Sequence, residues 1–179
     1  MNLPNKLTLS RIICTFAMIA FLSLKGPVFA WLSLAMYAVA SITDYFDGKI
    51  ARSRNLVTNL GKFMDPLADK ILNYSVMILL IPEGLVPVIA LVLILFREFM
   101  VAGIRQLAAE QGQVIAANIW GKIKTFFQDI ALVVLLLLRP FELSFLPLLG
   151  SVLIWICAAL TVVSGVIYLV QNIHVLKDT

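Results

Sequence analysis

Apolar residues fall into six long runs, at roughly 8–24, 28–51, 61–81, 85–108, 121–139 and 147–171, and polar residues collect in the joints between them. A helix rises about 1.5 Å per residue, so about 20 apolar residues cross a hydrocarbon core about 30 Å thick. The joints carry residues that stop helices: Lys25-Gly26-Pro27, Pro82-Glu83-Gly84, Glu110-Gln111-Gly112 and Arg139-Pro140. The runs are continuous, unlike the alternating segments of about ten residues that build a membrane β-barrel. The pattern predicts an all-α integral membrane protein, a bundle of six transmembrane helices forming one membrane domain over residues 1–179. Lys6, Arg11 and the small-residue stretch Val28-Phe29-Ala30 give the first run some likeness to a cleavable leader. A second apolar span follows at once, so the run reads as a first membrane helix.

Composition sharpens this reading. The chain is 61% hydrophobic and 13% charged, with mean hydropathy +1.00. Soluble domains are near half apolar and a quarter charged, and disordered chains are poorer still in apolar residues, so both classes are excluded. The net charge of +4 reads as topology and attraction to anionic lipid, with no nucleic-acid partner implied. Numbering the joints alternately, the side that holds the N-terminus has eleven Lys and Arg against two on the other, with Arg97 inside the fourth run. By the positive-inside rule both termini are cytosolic, in a multi-pass protein of the cell membrane. Cys14 and Cys157 lie in apolar runs and imply no disulfide framework.

Chemistry concentrates between Ser41 and Lys70. Asp44 and Asp47 are spaced i, i+3 at the end of the second run, and Asp65 and Asp69 are spaced i, i+4 near the start of the third. Each pair shares a helix face. With a short connection the two helices are expected to be antiparallel neighbours with their carboxylates at one membrane level. An Asp within a membrane span costs about 2.5–3.5 kcal/mol, and four together repel unless cations neutralise them. A lone Asp at a helix end is usually an interfacial charge or a cap; two bracketing pairs are not explained that way. With oxygen ligands only, hard ions fit: Mg²⁺, Mn²⁺ or Ca²⁺. Two such ions are the arrangement that clamps a phosphate during in-line displacement. Gly48, Ala51 and Gly61 allow close approach, and Arg52 can pair with a phosphate oxygen.

The stretch Asp44-x2-Asp47-Gly48-x2-Ala51-Arg52-x8-Gly61-x3-Asp65-x3-Asp69 resembles the signature of the CDP-alcohol phosphotransferases at every defined position. The resemblance implies a six-helix membrane enzyme, commonly a homodimer, that displaces CMP from a CDP-linked donor with an alcohol. It implies that Asp44, Asp47, Asp65 and Asp69 bind two Mg²⁺ ions (or Mn²⁺) and that Asp69 is also the general base. It further implies that Gly48, Arg52 and Thr58 contact the CDP moiety of CDP-diacylglycerol, that Gly61 permits close helix approach, and that Asn5, Thr8 and Arg11 resemble an N-terminal segment beside the nucleotide.

In the second half, Arg97-Glu98, Arg105 and Gly121-Lys122-Ile123-Lys124-Thr125-x2-Gln128 resemble the branch of that family whose acceptor is glycerol 3-phosphate. Arg97 lies about 18 Å along its helix, well inside the core. Arg97, Arg105, Lys122 and Lys124 are then candidates to hold the acceptor phosphate. Two plainer readings stand beside this: Arg97 pairs only with an internal acid such as Glu98, and the lysines only set topology. Other readings of the whole chain also remain open at this point. They are a family member using another acceptor such as an inositol phosphate, prenyl transfer on Mg²⁺-diphosphate, and a divalent-cation carrier. Prenyl transfer needs more helices than this chain supplies, and a carrier places its acids near the midplane.

Overall fold

The computed structural model describes residues 3–53, 58–113, 115 and 119–176; of residues 3–6, 44–53, 59, 60 and 62 it describes the backbone alone. Six α-helices follow one another: α1 Leu3–Leu22, α2 Pro27–Ser53, α3 Asn59–Leu80, α4 Val88–Glu110, α5 Ile119–Leu138 and α6 Leu146–Gln171. Short 3₁₀ turns at Arg139–Phe141 and Ile173–Leu176 complete the described elements, and no strand occurs among the described residues. Each helix coincides with one apolar run to within a few residues. The largest difference is at α1, which begins at Leu3 rather than at 8, because Pro4 in a first turn gives up an N–H that has no helical partner anyway.

The chain forms two compact units, Met1–Pro82 with Leu132–Leu146, and Glu83–Ala131 with Pro147–Thr179. In the first, α1 packs broadly along α2 and also against α3. The α1 residues Thr8, Arg11, Thr15, Met18 and Leu22 are buried at alternating three- and four-residue spacing, which makes one continuous face. The expected α2–α3 neighbourhood is present but narrow among the described residues. It includes the Tyr37 hydroxyl, which donates to Asn73 Oδ1 at 2.9 Å. Arg139 Nη2 donates to the Leu22 carbonyl at 3.2 Å, placing a cation at the C-terminus of α1, where the helix dipole favours it.

In the second unit, Val101 and Ile104 of α4 enclose Tyr168 of α6. Helix α4 stops at a Schellman turn: Gln113 N–H donates to Ala108 O and Gly112 N–H to Ala109 O, at 2.8 and 3.0 Å. Gly112 has φ +72°, a left-handed conformation that favours glycine.

The surface is apolar and the interior partly polar. Phe16, Ile89, Phe96, Phe99, Phe126 and Leu148 are exposed, whereas Thr8, Arg11, Ser33, Arg97, Lys124 and Gln128 are buried. Large apolar side chains exposed in such number are unusual for a protein in water. Hydroxyls in the helices are satisfied locally. Thr15 donates to Arg11 O, Ser33 to Ala30 O and Thr161 to Cys157 O, at 2.7–2.9 Å. Among the described residues one helix, Leu146–Gln171, is long and apolar enough by composition to cross a membrane; Leu7–Leu22 and Pro27–Thr43 are shorter apolar stretches. The other helices carry more charge: Asp65, Asp69 and Lys70 in α3, Arg97, Glu98 and Arg105 in α4, and Lys122, Lys124 and Asp129 in α5.

Candidate active site

The carboxylate end of α3 is built by a cap and a hydrogen bond from another helix. Thr58 is the N-cap, with extended backbone, and its hydroxyl oxygen accepts from Gly61 N–H at 3.0 Å. That contact gives one unpaired first-turn N–H a partner and fixes where α3 begins. Asp65 and Asp69 follow one helical turn apart, both half-buried, with Pro66 between them. Pro66 has no N–H, so the helix loses one backbone bond beside the acids. Thr8 of α1, itself buried, donates its hydroxyl to Asp65 Oδ1 at 2.7 Å. The bond leaves the other Asp65 oxygen and the remaining lone pairs of Oδ1 for further ligation. Arg11 is fully buried on the same face of α1, one turn from Thr8.

Asp44, Asp47, Gly48 and Arg52 lie on the C-terminal turns of α2, and Asn5 lies on the first turn of α1; their side chains are outside the described residues. Among the described residues no group of three or more acidic, His or Cys side chains gathers to hold a metal. The donor set that is described, carboxylate oxygens with a hydroxyl steering one of them, matches hard divalent ions.

A second cluster is built on α4, α5 and α6. Glu98 Oε1 accepts from Arg97 Nη1 at 2.9 Å and from Lys124 Nζ at 2.6 Å, with all three side chains no more than 16% exposed. Two cations on one carboxylate leave one positive charge in excess within this trio. A desolvated excess of that sign favours an anion, and Arg suits the geometry of a phosphate. Glycine makes room for the arginine. A Cβ at Gly165 would stand 2.8 Å from Arg97 Cγ, and one at Gly121 would stand 3.2 Å from Arg97 Nη2. The Arg97 stem therefore runs across Gly165 of α6 while its guanidinium passes Gly121 of α5.

The four cations expected at the acceptor phosphate are thus divided. Arg97 and Lys124 meet at Glu98. Arg105 turns to α6 instead: its Nε donates to the Tyr168 hydroxyl at 3.2 Å, and its guanidinium carbon lies 5.6 Å from the centre of that ring. Lys122 is exposed at the start of α5. Gln128 is buried on α5 one turn beyond Lys124, and its Oε1 has no hydrogen-bond partner. Its spacing from Lys124 in the same short motif was a usable signal. Gly165 carried none, since nothing local distinguishes it within the apolar run of α6. Glu98 takes a larger part than its sequence reading gave it, because it joins Arg97 to a lysine 26 residues away.

The chain resembles known proteins over most of its length. The family described as CDP-alcohol phosphatidyltransferase matches residues 1–163. A Bacillus subtilis protein named CDP-diacylglycerol–glycerol-3-phosphate 3-phosphatidyltransferase is 42% identical, the alignment covering 99% of this chain and 98% of the relative. A Rickettsia bellii protein of the same name is 40% identical over 93% of both chains. A Mycoplasma pneumoniae protein of that name is 35% identical over 80% of this chain and 71% of its own. The match over most of the chain, with the aspartate signature unbroken, places this chain in the CDP-alcohol phosphatidyltransferase family.

Proposed function

We propose that the chain transfers the phosphatidyl group of CDP-diacylglycerol to the primary hydroxyl of sn-glycerol 3-phosphate, giving phosphatidylglycerophosphate and CMP. The observation that carries this reading is the end-to-end identity with phosphatidyltransferases of that name in a chain that keeps every aspartate of the signature. The donor falls to the carboxylate end, with Asn5, Thr8, Arg11, Gly48, Arg52, Thr58 and Gly61 around the CDP moiety. Two Mg²⁺ ions, or Mn²⁺, held by Asp44, Asp47, Asp65 and Asp69, would neutralise the diphosphate and the charge that develops on the leaving oxygen. Thr8, whose hydroxyl donates to Asp65 Oδ1, would steady that carboxylate toward a metal. Asp69 takes the proton from the attacking hydroxyl at a carboxylate oxygen. Divalent ions beside it would favour the carboxylate form, so position rather than basicity would do the activating.

The acceptor oxygen forms the new bond to the phosphorus that bears the lipid, and the bond from that phosphorus to CMP breaks. No Ser, Cys or His stands within the motif from Asp44 to Asp69 other than Ser53, which lies between defined positions. Transfer is therefore direct, without a lipid-linked enzyme. Arg97 and Lys124 hold the acceptor phosphate, with Arg105 and Lys122 as further cations drawing the anion in. The apolar outer surface supports a multi-pass protein in which six helices form one membrane domain. Both termini and the site then face the cytosol, and the acyl chains stay in the bilayer. A homodimer is part of the same reading.

CMP release by purified protein in detergent, with CDP-diacylglycerol, Mg²⁺ and glycerol 3-phosphate, tests the proposal. Release should depend on the acceptor, stop on chelation, and fall by about 10³-fold or more in Asp69→Asn. Release only with another acceptor would move the chain to another branch. Metal flux into proteoliposomes without CMP release would make it a carrier.

A further inference from the structure

We propose that Gln128 selects the acceptor, its buried amide oxygen accepting a hydrogen bond from the secondary hydroxyl of glycerol 3-phosphate while the phosphate rests on Arg97 and Lys124. This rests on the assignment of Arg97 and Lys124 to the acceptor. Gln128 is 3% exposed, and its Oε1 is buried without a partner. Buried amide oxygens are nearly always bonded, so an unbonded one beside a functional cluster marks a place for a donor from outside the chain. The hydroxyl nearest in sequence does not supply it, since Thr125 donates to Gly121 O at 3.0 Å.

Arg97 Nε is likewise buried and without a partner. The α4–α5 cluster thus holds one unused donor on a cation and one unused acceptor on an amide. A molecule that satisfies both must carry an anionic acceptor and a hydroxyl donor. Gln128 and Lys124 are one turn apart on α5, about 6 Å along the axis, and a helical side chain leans toward the preceding turn, which here is the turn that holds Lys124. That separation is on the scale of a three-carbon phosphomonoester with a hydroxyl at its middle carbon. The primary hydroxyl, at the far end, remains the nucleophile.

The test compares two acceptors in two proteins. The acceptors are glycerol 3-phosphate and 3-hydroxypropyl phosphate, which keeps the phosphate and the primary hydroxyl and lacks the secondary one. The wild type should prefer glycerol 3-phosphate by at least about tenfold in kcat/KM. Gln128→Met, close in size and without the amide, should lose most of that preference while its kcat/KM for 3-hydroxypropyl phosphate stays within about twofold of the wild type. A ratio of two acceptors is independent of how much of the variant folds. A wild type indifferent to the missing hydroxyl would overturn the proposal, and so would a variant that loses equally on both acceptors or on all activity. If the wild type releases no CMP with glycerol 3-phosphate, the functional reading fails first. If it does so and only the ratio is unmoved, the role of Gln128 alone fails.

Discussion

The two clusters are made in opposite ways. At the carboxylate end the described part is mostly local: Asp65 and Asp69 sit one turn apart on α3, near the Thr58 cap, and a long-range hydrogen bond comes from Thr8. The basic cluster is tertiary. Arg97 and Glu98 on α4, Lys124 on α5 and the bare backbone of Gly165 on α6 are needed to define one arginine position. The difference teaches which kind of site survives reading from one dimension. A local pair announces itself by spacing, whereas the tertiary cluster showed its polar members in the sequence but not that Glu98 joins Arg97 to Lys124, nor that Gly165 makes room for the arginine.

It also predicts different failures. Damage to the carboxylate end should reach the chemical step, so the loss in Asp69→Asn is the largest expected. Damage to the basic cluster should reach the acceptor first. Gly165→Ala puts a methyl 2.8 Å from Arg97 Cγ. The neighbouring Met100 can yield, but the arginine stem must shift, at an overpacking cost of about 1–3 kcal/mol. KM for glycerol 3-phosphate should rise about tenfold, with KM for CDP-diacylglycerol unchanged; steady-state kinetics with each substrate varied in turn check this. A smaller effect belongs to the hydrogen bond from Thr8 to Asp65. Thr8→Val removes a bond to a carboxylate, of a kind contributing about 1.5–3 kcal/mol. Asp65 would remain in place on α3 with its orientation loosened. The Mg²⁺ concentration for half-maximal rate should rise several-fold with little change in kcat at saturating metal, as a metal titration would read.

Much of the fold was legible because an apolar run of about 20 residues bounded by Gly, Pro and charge favours a single helix. Runs of apolar residues therefore marked α1 to α6 closely. Packing was less legible. The expected α2–α3 neighbourhood is present, but α1 makes the broader contact with each, and contacts such as Tyr37 to Asn73 have no periodic signature. The i, i+4 spacing of Asp65 and Asp69 was readable, and the structure sets them one turn apart on α3; the side chains of Asp44 and Asp47 lie outside the described residues. The division of the cations was not readable. Arg105 leans on Tyr168, 63 residues away, and only the fold brings them together. Gln128 stood in the motif without a role, since burial and a missing partner are properties of the packed molecule.

The claim that one cluster serves the donor's chemistry and the other the acceptor's affinity is tested most directly by Arg97→Met. Methionine keeps the stem that crosses Gly165 and removes the guanidinium, while Lys124 remains to pair with Glu98. With both substrates varied, KM for glycerol 3-phosphate should rise about 10- to 100-fold, the worth of one or two charge-assisted hydrogen bonds. KM for CDP-diacylglycerol and kcat at saturating acceptor should stay within about threefold of the wild type. A variant whose KM for glycerol 3-phosphate is unchanged would contradict the account.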